Sequence, residues 1–457
     1  MLSTFSIRTL KIRLVQLMHK KLRHTYQIPQ KTIALSCLLI GAALVSLFSL
    51  GFAKLADLGL YWNARWTAQY PVAVWFILPT GLAILAWFTA KYTPYVAGSG
   101  IPQVIASLAL APGANKNRLL RFGQTLWKIP LTFLAMLLGA SVGREGPSVQ
   151  VGAAVMLAWG NFCRRHNFAF RELSANELMA AGAGGGLAAA FNAPLAGVIF
   201  AIEELGRGVL LRWERRVLLG VLASGFLLVA LEGNNSYFPQ YQGAYEGSHL
   251  FLWVILCGLI CGVCGGIFAR LLAKGAAGIS PPKIRALIRR HPIHTAFILG
   301  LILAALGTYS HGQTYGTGYA EVAKALNGEA LEPNTLGITK LFATVASYWS
   351  GIAGGIFTPS LTVGAGIGAQ LAVFAAEGVD PRMLVLLCMA AFLAGATQSP
   401  LTAAVIVMEM TGSQPFLIWS LISCIVATFV SRQFNPKPFY HLAAARFRQR
   451  VQEENRQ

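Results

Sequence analysis

Glu145, Glu203 and Glu204 interrupt sequence that is otherwise apolar, and an ionisable carboxyl in such a run is a functional candidate by default. Glu145 sits inside GREGP (143–147), one of three Gly/Pro-rich strings; the others are GSGIP (98–102) and GIFTP (355–359). Glycine lets backbone approach a ligand closely and take up strained dihedrals. A proline just inside a helix start presets the helical φ and gives up an amide the helix does not use. Each string can therefore open a helix, whose free N–H groups and positive dipole end favour an anion. Ser99 adds a hydroxyl at one such start. A single string reads equally as a tight interhelical turn, but three together describe an anion cradle. A carboxylate is itself an anion, so Glu145 can fill the place a substrate anion would take, and its protonation empties that place. Anion entry and proton binding at one locus then become interdependent. A plain Arg144–Glu145 structural pair is the weaker reading, because adjacent residues on a helix do not face each other.

The elements that must hold these groups are membrane helices. Of 457 residues, 55% are hydrophobic and 12% charged, with a mean hydropathy of +0.57, where soluble domains carry about 25% charged residues. That excludes a soluble enzyme, a disordered chain and a coiled coil. Apolar stretches fall near 32–54, 72–90, 124–142, 148–162, 176–191, 195–206, 216–232, 249–273, 293–309, 337–353, 361–377, 382–396, 400–412 and 415–431. Several are too short, or too broken by Gly and Pro, to cross a ~30 Å core alone. Broken backbone at that depth survives only where it lines a cavity or is buried in protein. The fold class expected is an all-α polytopic membrane protein.

Charge placement sets the orientation. The net charge is +20, and residues 1–31 carry Arg8, Lys11, Arg13, Lys20, Lys21, Arg23 and Lys31 without an acid. The tail beyond residue 432 adds Lys437, Arg446, Arg448, Arg450 and Arg456 against Glu453 and Glu454. Basic flanks stay in the cytoplasm, so both termini are expected there, as are the Arg207–Arg216 and Lys283–Arg290 stretches. The segments 234–248 and 319–333 are expected outside. A nucleic-acid reading of the basic tails fails because nearly everything between them is lipid-compatible. The run 32–53 reads as a first retained span rather than a cleaved signal. The 25 residues after Arg432 leave no room for a folded regulatory domain. Seven cysteines form no disulfide framework. Cys257, Cys261 and Cys264 would share a helical face, but interleaved Gly258, Gly262, Gly265 and Gly266 make that face a packing surface rather than a metal site. No metal and no cofactor is expected.

An internal repeat organises the chain. KIPLTFLAMLLGASVGREGPSVQVGA (128–153) and KLFATVASYWSGIAGGIFTPSLTVGA (340–365) agree at nine of 26 positions, among them Lys128/Lys340, Gly143/Gly355, Pro147/Pro359 and Ser148/Ser360. NAPLAGVIFAIEE (192–204) matches QSPLTAAVIVMEM (398–410) through Pro194/Pro400, Leu195/Leu401 and Glu203/Glu409. Duplicated membrane units in transporters hold their substrate at the repeat interface; the spacings leave open whether the halves run parallel or inverted. The repeat also sorts the acids. Glu203 has a twin in Glu409, which points to a scaffold role in both halves. Glu204 faces Met410, and Glu145 faces Phe357, so these two carry the special roles, Glu204 as an inner proton acceptor. A helix-end salt bridge is the alternative for Glu204. Lys128 and Lys340 either snorkel to the interface or bias the interior towards anions.

GSGIP, GREGPSVQVGA, GLAAAFNAPLAGVIFAIEE, GIFTP and the terminal KPFY resemble, in order and spacing, the CLC family of chloride channels and chloride/proton exchangers. The resemblance runs from about residue 32 to 445. It implies a CLC-type fold of two inverted halves built from tilted and partial helices, with one anion pathway in each subunit of a homodimer. On that fold the transmembrane domain would cover 32–432 (first half about 32–232, second about 249–432), between a basic cytoplasmic tail (1–31) and a short cytoplasmic tail (433–457). The resemblance further implies that Ser99 and Tyr440 coordinate a central anion, with backbone amides of Ile356 and Phe357 completing the site and Gly146 contributing outward. Glu145 matches the external gating glutamate and Glu204 the internal proton glutamate. Ser99 resembles the chloride-preferring members, whereas the nitrate-selective ones carry Pro there. Thr358 stands where bacterial relatives commonly have Ala. The short tails are similar to those of bacterial members, which implies an inner-membrane location.

The implied activity is exchange of chloride for protons, with chloride, protons and the bilayer as partners. A passive, voltage- or pH-gated channel on the same fold is the alternative; channels usually lose the internal glutamate, and Glu204 is present. An intramembrane enzyme would need a motif such as HExxH or GxSxG, and neither occurs. His311 and His441 are isolated in sequence and read as loop or packing residues.

Overall fold

The computed structural model describes the backbone of residues 4–111, 118–170, 173–207, 215–241, 243, 250–331, 333–375 and 379–454, with side chains from residue 32 onward. The side chains of the basic segment 1–31, Arg212, Glu332 and residues 242 and 244–249 lie outside that description. The first half comprises α1 (Thr4–Gln69), α2 (Val74–Tyr92), α3 (Ile101–Ala109), α4 (Lys128–Leu138), α5 (Glu145–Arg165), α6 (Ala175–Phe191), α7 (Pro194–Phe200) and α8 (Arg215–Glu232). The second half follows the same order: α9 (Leu250–Ile279), a short α10 (Pro282–Arg290), α11 (Pro292–Tyr309), α12 (Tyr319–Leu326), α13 (Leu336–Trp349), α14 (Phe357–Ala372), α15 (Pro381–Thr397), α16 (Pro400–Thr411) and α17 (Leu417–Phe434). A last helix, α18 (Phe439–Glu454), buries Phe439, Tyr440, Ala443, Ala444 and Val451. The C-terminal segment is thus a packed helix rather than a free tail. Among the described residues, five helical segments are long and apolar enough to cross a bilayer unaided.

Small residues bring the helices into close contact. A Cβ added at Gly258 or Gly262 of α9 would approach Ser423 O or Ala427 O of α17 to 2.8 Å, the tight approach that glycine faces permit in membranes. Cys257 and Cys261 are buried beside Cys388 of α15 and Cys264 is half-buried, all as free thiols, in line with the packing reading.

The lysines do not snorkel. Both are fully buried. Lys128 Nζ donates to Val96 O and Gly98 O, each at 2.6 Å. Lys340 Nζ donates to Thr314 O at 2.9 Å and Gly316 O at 2.7 Å. Each ammonium is solvated by carbonyls of the turn that leads into a short helix, which stabilises a buried charge at membrane depth. The turns themselves correspond. Gly98 and Gly316 have φ of 69° and 60°, Gly100 and Gly318 of 105° and 82°, so Gly-Ser-Gly in the first half is repeated as Gly-Thr-Gly in the second. The sequence comparison missed this pair because nothing but the glycine spacing survives.

The halves are inverted. The Ser99 turn lies where α2 ends, on the face where Tyr95 bonds Glu454 of α18. Its counterpart, Gly316–Gly318, shares a cavity with Leu60 of α1 and Pro71, which precedes α2. One helix crossing separates the two, so equivalent turns open towards opposite faces. Repeat-mates Gly143 and Gly355 exchange hydrogen bonds of 2.8 and 2.7 Å, and such reciprocity marks a local two-fold between halves.

Candidate anion site and proton-binding residues

The three glycine strings open helices as expected, at α3, α5 and α14. The sequence-based spans for the last two began at 148 and 361; the helices begin earlier because each string supplies the first turn. Pro147 and Pro359 occupy the third helical position, where no intrahelical acceptor exists for an N–H. The strings also meet in space. Gly98 N donates to Ile352 O at 2.9 Å and Gly354 N to Gly98 O at 3.1 Å, while Gly143 pairs with Gly355.

Ser99, Gly146 and Tyr440 converge there. A Cβ at Gly146 would collide with Ser99 Oγ and lie 2.9 Å from Ser99 O, so glycine there lets the start of α5 pack directly against the Ser99 turn. Ser99 and Tyr440 are buried, the phenol and the hydroxyl are neighbours, and neither oxygen has a hydrogen bond of ordinary geometry. Unsatisfied buried hydroxyls cost about 1–3 kcal/mol each; two aimed at one another's vicinity fit an anion that accepts from both. The ring of Phe357, at the start of α14, stacks on Tyr440 at 6.0 Å and 11° and packs near Phe191 and Phe200. Ile356 is the N-cap residue of α14, so its carbonyl starts the helix while the N–H groups ahead point outward. An anion in this pocket meets donors and apolar rings, with no metal required.

Glu145 is the first residue of α5 and fully buried, and both carboxylate oxygens lack a hydrogen bond. The carboxylate folds back over Gly143, where a Cβ would strike it. Arg144 is not its partner: Arg144 Nη1 binds Asp57 Oδ1 at 2.6 Å and Ala53 O at 2.7 Å. The positive dipole end favours a carboxylate at a helix start, and no hydrogen bond holds this one there.

Glu203 and Glu409 cap each other's halves. Glu203 accepts from Leu401 N at 3.2 Å and Thr402 N at 2.7 Å, and Glu409 from Leu195 N at 3.1 Å and Ala196 N at 2.6 Å. The twins thus seat the N-termini of α16 and α7, the scaffold role that their shared presence suggested. Glu204 is different. It is buried within a π turn, Ala201–Leu205, a local widening of the helix that is frequent at functional sites. Ser399 donates to its carboxylate, and His441 Nε2 stands 3.7 Å from Oε1 and 3.3 Å from its main-chain oxygen. Among the described residues no arginine forms the helix-end bridge: Arg207 donates instead to Gln398 O at 3.0 Å. His441, isolated in sequence, is therefore part of this acidic site, brought there because it follows Tyr440 on α18. Ser399 and His441 gave no signal in sequence. Tyr440 lies within electrostatic reach of both Glu204 and Glu145.

The family profile described as "Voltage gated chloride channel" matches residues 81–432. The chain belongs to this voltage gated chloride channel family. Family members of similar sequence include the "H(+)/Cl(-) exchange transporter ClcA" of Yersinia pestis, 30% identical over 416 residues that cover 83% of this chain and 80% of the relative. The ClcA protein of Vibrio parahaemolyticus is 32% identical over 379 residues, covering 79% and 76%. Among solved structures, that of a slow cyanobacterial Cl−/H+ antiporter superposes with a TM-score of 0.77 at 25% identity, covering 93% of this chain and 99% of that one. The CLC-type, all-α membrane fold follows from these likenesses together with the helices described.

Proposed function

We propose that this protein is a chloride/proton antiporter in which Glu145 and the transported anion compete for one site. The observation that carries the reading is the buried, hydrogen-bond-free Glu145 carboxylate at the start of α5, next to the close contact of Gly146 with Ser99. Ser99, Tyr440 and the amides around Ile356 and Phe357 bind chloride; Gly146 extends the path outward. When chloride arrives, Glu145 must leave, and it leaves as the neutral acid. Glu204, with Ser399 and His441 against it, receives the proton from the inner side. Exchange is favoured over a passive channel because this second carboxyl is in place and the named relatives are exchangers. The reading has both termini in the cytoplasm of a cell with the protein in its inner membrane, a basic tail at 1–31, and a pathway built from 32–432 together with Tyr440 of the C-terminal segment 433–457. It also has a homodimer, formed through the apolar residues that α7, α8, α16 and α17 leave exposed, such as Leu195, Phe226, Leu401, Ile425 and Phe429.

The test is the reversal potential of purified protein in liposomes under a fixed chloride gradient, with and without a pH gradient. Exchange moves the reversal potential with the pH gradient. A value pinned at the chloride equilibrium potential means a passive channel and overturns the proposal.

A further inference from the structure

One surface has no part in transport. Between the spanning helices α9 and α11 the chain makes a detour: Gly275 breaks the α9 helix with φ 69° and ψ 166°, Ser280 and Pro281 turn the chain, and α10 (Pro282–Arg290) follows. None of its residues is buried. Its nine residues alternate with a helical period. Ile284, Leu287 and Ile288 share one face, and Lys283, Arg285, Arg289 and Arg290 flank and oppose it. Ile284 and Leu287 are 50% and 59% exposed, although an isolated helix this short is marginal in water. Arg285 braces the turn by donating to Ala277 O at 3.0 Å and Ser280 O at 3.2 Å. Lys283, Arg289 and Arg290 meet no carboxylate among the described residues. With Arg270 and Lys274, both exposed on the last turns of α9, six cations fall between 270 and 290 without one acid.

We propose that α10 is an interfacial helix that docks on anionic phospholipid headgroups of the bilayer in which the protein sits. Connectivity places it there: both neighbours in the chain span the membrane, so its ends cannot leave the bilayer surface by more than a few residues. Arg446 of α18 donates to Ala273 O near the end of α9, which puts α10 on the face of the C-terminal helix and of the Ser99 turn. An apolar face about three residues wide beneath a rim of Lys and Arg is the pattern of helices that lie in the headgroup layer. The rim cations suit an anionic leaflet, and each near such a surface strengthens binding by roughly fivefold. Apolar contact alone would leave the charges of Lys283, Arg289 and Arg290 unused. The lipid contact holds the α9–α11 connection, and this conclusion does not depend on the transport mechanism.

The experiment places an environment-sensitive bimane label on Leu287→Cys, in full-length protein carrying Cys264→Ser to remove the one half-buried native thiol. The protein is reconstituted in phosphatidylcholine alone or in equal parts phosphatidylcholine and phosphatidylglycerol. The expected result is a blue-shifted emission and reduced quenching by aqueous acrylamide in the anionic vesicles. Triple neutralisation (Lys283→Gln, Arg289→Gln, Arg290→Gln) should abolish the dependence on phosphatidylglycerol while leaving chloride flux, which reports folding, intact. Soluble glycerol phosphate added to phosphatidylcholine vesicles should not reproduce the protection. Equal quenching in both lipids, a triple variant that keeps the lipid dependence, or protection by soluble glycerol phosphate would each overturn the proposal.

Discussion

The first and second halves of the molecule have the same skeleton, and they part company at a few side chains. Lys128 and Lys340 clasp equivalent turns. Glu203 and Glu409 cap equivalent helices, and Asn192 and Gln398 end equivalent helices with φ of 52° and 61°. At the places where chemistry happens the pairs are unequal: Glu145 against Phe357, Glu204 against Met410, Ser99 against Thr317. The difference separates two kinds of acidic residue that burial alone would confuse. A carboxylate retained twice caps a helix; a carboxylate present once is the one we propose to move a proton.

That contrast is most sharply tested at Glu145. Glu145→Gln should abolish coupling altogether and leave chloride flux, read as a reversal potential that no longer follows an imposed pH gradient; retained pH-driven chloride movement would erase the proposed asymmetry. Glu204→Gln should give the same loss of coupling while anion binding survives. Gly146→Ala comes next, because its methyl would occupy the space beside Ser99; chloride affinity measured by calorimetry should fall about tenfold, or ~1.4 kcal/mol. Glu203→Gln and Glu409→Gln should then behave alike. Each weakens two charge-assisted bonds and should cost about 1–3 kcal/mol of stability, seen as a lower Tm in detergent, with the coupling ratio of the surviving protein unchanged. Unequal losses would show that the caps are not twins in energy.

The smallest effect belongs to the latch at the end of α18. Tyr95, four residues before Ser99, donates its phenolic hydrogen to Glu454; Arg118 stands 3.1 Å from the same carboxylate and Arg450 3.2 Å. The Tyr95 hydrogen bond, then that of Arg450 and the charge of Arg118, hold the Glu454 carboxyl below its usual range. A depressed folded-state pKa adds stability above the unfolded value and loses it as pH falls through the folded one. The latch therefore holds throughout the neutral range and opens only in acid. Glu454→Gln should lower Tm slightly at neutral pH, and the gap to wild type should close below about pH 4, near the ordinary carboxylate pKa.

Much of this arrangement was legible in the chain itself. The spans, the helix-opening strings and the scaffold role of Glu203 and Glu409 followed from apolar runs, Gly/Pro placement and the comparison of repeats. What stayed hidden depends on contacts between segments distant in sequence. Thr317 escaped because its turn kept only its glycine spacing, and an αL glycine leaves no side chain to match. Asp57 reaches Arg144 across 87 residues, and Ser399 reaches Glu204 across 195; periodicity carries no record of either. Snorkelling was as good a reading of the lysines as burial, because a Lys at a span end looks the same whether its head finds water or a ring of carbonyls. Tyr440 was accessible by resemblance alone, since a tyrosine at a span end is ordinarily an interfacial anchor.

The crossed caps make the two halves interdependent. Glu203 completes a helix belonging to the second half, and Glu409 one belonging to the first. A single copy of the unit would leave its own α7-like start bare and carry a carboxylate with nothing to receive it. Two identical copies inserted in opposite senses would satisfy each other at once. Each half therefore depends on the other to complete a helix start, and neither cap can form within one half alone. Positions outside this exchange are free to differ between the halves, as Glu145 and Phe357 do.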